Sequence, residues 1–380
     1  MSTRISWHEA RAIAGATTAL PPEFVTLDES IGRYLVDELV ATIDLPHFAS
    51  SAMDGWLVVG DGPWTLTDGP PGVGQASTIV TGAFVPSPAT AVLRSESGAV
   101  VDLLLRSTVP DEPRPGQHIR SAGGEAARGE TLIGAGTLLN PAHVALAAST
   151  GKDQVRVAAV PTIALVLTGE EVVTHGVPGP GQVRDSFGVQ LPALFGMLGG
   201  RVTRSTRVGD HMAATVQAIS DSPEPVIVTT GGTGSSAVDH VRAALRALDA
   251  RFLIDGVAMR PGGPTSMAEL PDGRLVVSLP GNPLAAMVAA ITVCGPLLGG
   301  LGGIPQRMPH TVVAPAVAGR PGSTSLVPHT LIDGRPTPVA WRGSGMMRGL
   351  AEAHGLLVVP SSGLAEGDPA ESVGLPWHRD

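Results

Sequence analysis

Four short stretches of the 380-residue chain gather hydroxyls, carboxylates, glycines and a cation in ways that suit polar-ligand chemistry. Thr168-Gly169-Glu170-Glu171 sets a hydroxyl and two carboxylates around a glycine, a donor set for Mg²⁺ or another polar ligand. Thr229-Thr230-Gly231-Gly232-Thr233-Gly234 lets backbone N–H groups approach an anion, and Asp239, a turn or so into the next helix, could hold a cation beside it. Leu279-Pro280-Gly281-Asn282-Pro283 is a stiff loop whose Pro283 suits the first turn of a helix. Met259-Arg260-Pro261-Gly262-Gly263-Pro264 offers the planar fork of Arg260 to an oxyanion. Each also has a plainer reading: a helix-entry turn whose acids suit the dipole, a glycine-rich packing turn, a rigid Asn-turn loop, a surface arginine.

Elsewhere, Asp54 in an irregular loop and Glu125 after Gly123-Gly124 are candidate cation ligands or acid–base groups. The eleven His residues show no HxH, HExxH or His/Cys metal spacing, and neither a GxSxG elbow nor a GxxxxGK(S/T) phosphate loop occurs. The lone Cys294 cannot form an intrachain disulfide and reads as core. A net charge of −9, a single Lys (Lys152) and 3% aromatics argue against a nucleic-acid partner. Met1 to Ala10 lacks a signal-peptide core. The longest apolar stretch, near Ala285 to Val293, reads as too short to span a bilayer. A cytoplasmic protein with no membrane partner is expected.

The four loops need a scaffold that collects strand ends. From Pro161 onward, strands at Ile163–Leu167, Arg201–Arg204, Pro225–Thr230 and Leu275–Leu279 alternate with helices at Val189–Leu198, His211–Ala218, Ala237–Leu248 and Leu284–Leu298. That alternation predicts a doubly wound, mainly parallel sheet, with ligands at the carboxyl ends of its strands. Upstream, a helix around Trp7 to Ala14 and a short one at Asp28–Leu35 precede β-type runs at Ser77–Val80, Ala91–Ser95 and Val100–Leu105. A further helix opens at Pro141. Downstream of Ile304 the short strands return. The expectation is a multidomain α/β chain: an elongated N-terminal α+β domain (1–46 and 116–160), a small β insertion (47–115), the central α/β domain (161–305) and a C-terminal β domain (306–380).

Taken in order, these loops resemble the molybdopterin molybdenumtransferases, the MoeA and gephyrin E-domain family. Leu45 to Gly55 is similar to its LPpFdnSAMDGyA signature, Ile79 to Pro86 to ImTGApvP, and Ile119 to Glu125 to nvRxxGED. Thr168 to Glu171 matches TGdE, Gly181 to Ser186 matches GqixdsN, Gly231-Gly232 with Asp239 matches GGxSxGxxD, and Leu279 to Pro283 matches LPGNP. Gly343-Ser344-Gly345 and Ala351 to Gly355 resemble the GSG and ANG elements of the last domain, so the likeness covers essentially the whole chain.

The resemblance implies a molybdopterin-binding α/β domain of the MogA/MoaB-like kind and a homodimer with its site completed across subunits. It implies a Mg²⁺-assisted transferase reaction of molybdenum cofactor biosynthesis, in which molybdate and adenylylated molybdopterin are the substrates and AMP is released. Other proteins of that biosynthesis are implied as partners. Carried over by position, Asp54, Glu125, Glu171 and Asp239 become the catalytic acids, with Asp54, Glu171 and Asp239 at the metal. Ser51 and Thr81 would hold the nucleotide end. Thr168 and Ser186 would bind substrate, and the turn Gly231, Gly232, Thr233, Gly234 would hold the pterin. Arg260, Pro280, Gly281, Asn282, Pro283 and Ser344 would line the approach of molybdate. The family's KPGKP reads Arg260-Pro261-Gly262-Gly263-Pro264 here, so one cation is lost at Gly263 and a weaker molybdate site carried by Arg260 is expected. The GED acids read Gly124-Glu125, the ANG element has His354, and Gly231 to Gly234 is closer to the GGTG of molybdopterin adenylyltransferases. An adenylyltransferase-type activity and a non-catalytic molybdopterin-binding scaffold are the alternatives.

Overall fold

The structure, a computed structural model, describes residues 4–231, 240–304 and 308–378. Contacts divide the chain into two compact units, Pro22–Val157 and Met1–Pro21 with Ala158–Asp380.

The α/β part of the second unit runs α1 (Trp7–Gly15), β1 (Thr162–Leu167), α2 (Phe187–Met197), β2 (Arg201–Arg207), α3 (Met212–Ser220), β3 (Val226–Thr230), α4 (His240–Ala247), β4 (Arg251–Asp255), β5 (Ser266–Glu269), β6 (Leu275–Leu279) and α5 (Pro283–Gly302). Its strands lie in the order β2-β1-β3-β6-β5-β4. The first four are parallel, and β5 runs against both its neighbours. The unbroken apolar runs of β1, β3 and β6 require cover on both faces, and they receive it. Ile163, Leu165, Leu167, Val226, Val228 and Val277 pack into one core with α1, α2 and α5. Ala164, Val166, Ile227 and Val276 pack into another with Ile219 of α3 and Val241 and Leu245 of α4. Each fully buried Leu, Ile or Val contributes about 1.5–3 kcal/mol over the exposed state. The doubly wound, mainly parallel sheet expected from the alternation is therefore present.

Two expectations change here. The first 21 residues do not stay with 22–46. Ser6 caps α1 by accepting a hydrogen bond from Glu9 N at 3.1 Å, while Trp7, Ala10 and Ala14 are wholly buried against the α/β core. A helix face that apolar joins whichever core can cover it. The apolar stretch near Ala285 is also longer than it reads. α5 is 20 residues with a mean hydropathy of 2.0, long and apolar enough to cross a membrane by length and composition alone. It is a core helix: 89% of it is buried inside the protein.

The rest of this unit is a six-stranded sheet in the order Met259–Arg260, Thr324–Ile332, Gly355–Val359, Pro369–Gly374 and His310–Val313, with Arg335–Pro338 paired to Thr324–Ile332. Its first strand comes from the α/β part of the chain and pairs in parallel, Met259 with Thr324 and Arg260 with Ser325.

In the first unit, three two-stranded ribbons (Glu23–Thr26 with Gln154–Val157, Leu39–Val40 with Thr131–Ile133, Ser50–Ser51 with Ile119–Arg120) accompany a core of Val25, Leu35, Leu39, Ile133, Val155 and Val157. The helix Pro141–Ser149 begins with a reciprocal cap between Asn140 and His143. A six-stranded sheet follows the order Ala91–Arg94, Gly55–Val58, Gln75–Ile79, Trp64–Leu66, Leu104–Ser107, Gly98–Val101. The short helix expected over Asp28–Leu35 is a single 3₁₀ turn, Asp28–Ser30, with Leu27 and Leu35 packed around it. Val100 to Leu105 is the tip of a hairpin rather than one strand. Asp102 and Leu103 both take positive φ (52° and 66°), which matches the twist of a two-residue hairpin turn.

Candidate functional site

At the carboxyl ends of β1, β3 and β6 three of the motif loops touch. Thr168 Oγ donates to Thr230 O at 2.5 Å, and Gly231 N donates to Leu279 O at 3.1 Å. Gly231 has φ +78°, and a Cβ there would sit 2.7 Å from Thr168 Oγ, so only glycine lets these two strand ends close. A Cβ on Gly281 would in turn lie 3.5 Å from Gly231 Cα. Since the Gly231 amide is bonded to Leu279, this residue shapes the wall instead of offering its own N–H to an anion. Gly232, Thr233, Gly234 and Asp239 lie outside the described residues.

These loops border a cavity of about 450 Å³ lined by Thr168, Glu171, Asp185, Ser186, Asp210, Gly231, Gly281, Asn282 and Pro283, with Arg184 and Arg207. Asp185, largely buried, accepts from Phe187 N and Gly188 N at 3.0 Å each and pairs with Arg207 at 2.5 Å. Those bonds cap α2 and fix Arg207 at the cavity wall. Asp210 accepts a backbone bond from Glu170 N at 3.3 Å. Glu171 is exposed at the cavity edge.

Asn282 is the N-cap of α5 and Pro283 its first residue. Ala285 N donates to Ser344 O at 3.2 Å, so the Gly343–Gly345 loop closes over the start of this helix. On that side lies a second cavity, of about 970 Å³, which shares Asn282 with the first and is also lined by Pro280, Gly263 and Ser344. Four arginines reach it: Arg4, Arg260, Arg320 and Arg342. No carboxylate lines it, and none of the four makes an ion pair among the described residues. Together with the positive end of α5, this makes a strongly anion-seeking pocket.

Ser51, Asp54, Thr81 and Glu125 belong to the other unit. There Asp54 Oδ1 accepts from Thr81 N at 2.6 Å and Thr81 Oγ at 2.8 Å. The backbone bond first, and the hydroxyl second, hold the Asp54 carboxyl below the usual aspartate value, so it is ionised at neutral pH. Gly55 beside it allows a close approach: a Cβ would stand 2.0 Å from Leu93 O. Ser51 is fully buried, its hydroxyl donating to Met53 O at 2.6 Å. It ties the loop that presents Asp54, where the resemblance implied contact with a nucleotide. Glu125 is exposed and its N donates to Leu45 O at 2.8 Å, setting it beside the Leu45 loop.

The sequence motifs single out Arg260, Asn282 and Ser344, which line one cavity, and Thr168, Glu171 and Ser186, which line its neighbour. They missed Arg4, Arg320, Arg342 and Arg207. Only Arg342 had a signal, its position directly before Gly343-Ser344-Gly345. Of the expected Mg²⁺ ligands, Asp54 and Glu171 belong to different units and Asp239 lies outside the described residues. Among the described residues, no three His, Cys, Asp or Glu side chains group to hold a metal.

The family description "MoeA N-terminal region (domain I and II)" matches residues 5–151, and "Probable molybdopterin binding domain" matches residues 164–300. A molybdopterin molybdenumtransferase 2 of Mycobacterium tuberculosis is 31% identical over 92% of this chain and 94% of its own. A molybdopterin molybdenumtransferase of Staphylococcus aureus is 27% identical over 80% and 77%. The fold also matches the crystal structure of a molybdopterin biosynthesis moeA protein from Pyrococcus horikoshii, with a TM-score of 0.78, 24% identity and coverage of 98% and 99%. The chain belongs to the molybdopterin molybdenumtransferase family, transferases of molybdenum cofactor biosynthesis.

Proposed function

We propose that the chain inserts molybdenum from molybdate into adenylylated molybdopterin and releases AMP. The observation that carries this reading is the pairing of two cavities at Asn282, one lined by four arginines and no carboxylate, the other built from the strand-end loops. Molybdate is a compact dianion, and guanidinium groups bind oxyanions through paired charge-assisted hydrogen bonds, each worth about 1.5–3 kcal/mol. Arg260, with Pro280 and Ser344, holds molybdate. The neighbouring cavity takes the pterin and its phosphate, with Thr168, Ser186 and the loop from Gly281 to Pro283 as walls and Arg207 as the fixed cation. The short step across Asn282 lets the dithiolene of one ligand reach the metal of the other.

Glu171, at the edge of the pterin cavity, supplies an acid for opening the pyrophosphate link. The reading includes a homodimer in solution, which light scattering tests. The direct test incubates the protein with adenylylated molybdopterin, molybdate and Mg²⁺. AMP and molybdenum-loaded pterin are expected together. Binding of both substrates without AMP would mark a scaffold, and transfer of AMP from ATP to molybdopterin would mark the adenylyltransferase step.

A further inference from the structure

The loop that carries Arg260 has a glycine at 263, and that glycine is crowded. A Cβ on Gly263 would lie 2.9 Å from Arg4 Nη1, 3.2 Å from Met259 O and 3.4 Å from Val257 O. A Cβ on Gly256 would lie 3.2 Å from Arg4 Cγ and 3.6 Å from Arg4 Nε. The Arg4 side chain is therefore laid across two glycines, its stem over Gly256 and its guanidinium over Gly263. Its backbone is anchored to the same segment. Ile5 forms a parallel bridge with Val257, and Ala258 N donates to Ile5 O at 2.7 Å. Val257 N in turn donates to Gly263 O at 2.9 Å. This lattice brings a cation from near the start of the chain into the arginine-lined cavity. Arg4 has no ion pair among the described residues, and no carboxylate lines the cavity to neutralise it.

We propose that Arg4 is an oxyanion-binding residue of this cavity and that Gly263 is kept small to seat its guanidinium, so the charge absent from the loop is supplied from outside it. Gly263 does not take a positive φ, so the crowding, and not backbone conformation, sets the demand for glycine. The inference rests on the reading of this cavity as the molybdate site. It also reverses the simplest expectation for the loop: a lysine placed at 263 would displace Arg4 and exchange one cation for another.

The test is calorimetric titration of the full chain with sodium molybdate, with melting curves to confirm folding. Arg4→Ala is expected to weaken binding about tenfold or more, the loss of one charge-assisted contact. Arg4→Lys should stay within about threefold of the parent, and Gly263→Lys alone should give no gain. In the Arg4→Ala background, however, Gly263→Lys should recover most of the loss, a coupling expected only of groups that compete for one place. Arg4→Ala binding molybdate like the parent, or a double variant no better than Arg4→Ala, would overturn the proposal. If Arg260→Ala still loses binding in that case, only the role of Arg4 fails. If the parent shows no binding, or Arg260→Ala and Arg4→Ala both bind as the parent does, the molybdate reading itself fails.

Discussion

The cavity that holds Arg260 and the cavity that holds Glu171 meet at Asn282, yet Arg260 and Arg207 are treated in opposite ways. In the first, four arginines line the cavity with no carboxylate beside them in its lining and no ion pair among the described residues. In the second, Arg207 is bound to Asp185 at 2.5 Å, and Glu171 and Asp210 share the lining. Unpaired cations keep their full attraction for an incoming anion at the cost of repelling one another when the cavity is empty. A paired arginine is oriented in advance, and its charge is largely answered before the ligand arrives. The first arrangement suits a small, mobile dianion that must be captured from solution. The second suits a larger ligand that needs a shaped wall and an acid.

The comparison breaks first at Glu171. Glu171→Gln is expected to cut AMP release by about 10²–10³, the scale seen when one electrostatic group is lost from a transition state. Molybdate affinity should stay unchanged, since Glu171 does not line the arginine cavity. A variant that releases AMP at the parental rate would remove Glu171 from the chemistry. Arg260→Ala should do the reverse. The molybdate concentration for half-maximal insertion rises about tenfold to a hundredfold, while pterin binding is retained. If pterin binding falls with it, the two cavities are not separate subsites.

Asp185→Asn sharpens the contrast on the structural side. It removes the charge from the Arg207 pair while leaving an oxygen to cap α2, so a loss of about 1–2 kcal/mol and a lower melting temperature are expected. Chemical denaturation reads this directly. No equivalent loss is expected for Arg260→Ala, because Arg260 makes no ion pair among the described residues.

The smallest effect concerns Asp54. Its carboxyl is held below the ordinary value, so its contribution to folding is present above the unfolded pKa and fades as pH falls through the folded one. Thr81→Val deletes the hydroxyl bond but keeps the larger backbone bond. The Asp54 carboxyl should then titrate higher, yet still below an unperturbed aspartate. A carbon-13 NMR titration in which it does not move would show that the Thr81 hydroxyl is idle.

Much of this is legible in the amino-acid sequence. β1, β3 and β6 announce themselves as unbroken apolar runs, and each ends in a Thr, Gly or Pro cluster, so the positions of Thr168, Gly231 and Gly281 follow from the alternation of strand and helix. Local spacing could not place Arg4 or Arg320. They reach the arginine cavity from opposite ends of the chain, and only tertiary packing unites them with Arg260. The same limit explains α1, whose apolar face does not say which core it joins. It explains α5 too, where burial rather than length decides between core and membrane. Val100 to Leu105 misled for a different reason: a turn residue as apolar as Leu103 hides a hairpin inside what reads as one strand.

The strand Met259–Arg260 has a mechanical meaning. It leaves the α/β sheet, pairs in parallel with Thr324 and Ser325, and returns as β5. The two sheets of this unit are thus stitched by the residue that presents the key guanidinium. They cannot swing apart without tearing that seam, so the arginine cavity has a wall of fixed width and is open to an anion through its mouth instead of by hinge opening. The same seam couples the two sheets in unfolding: they should melt as one cooperative block, and a cut in the loop around Gly263 should loosen both together.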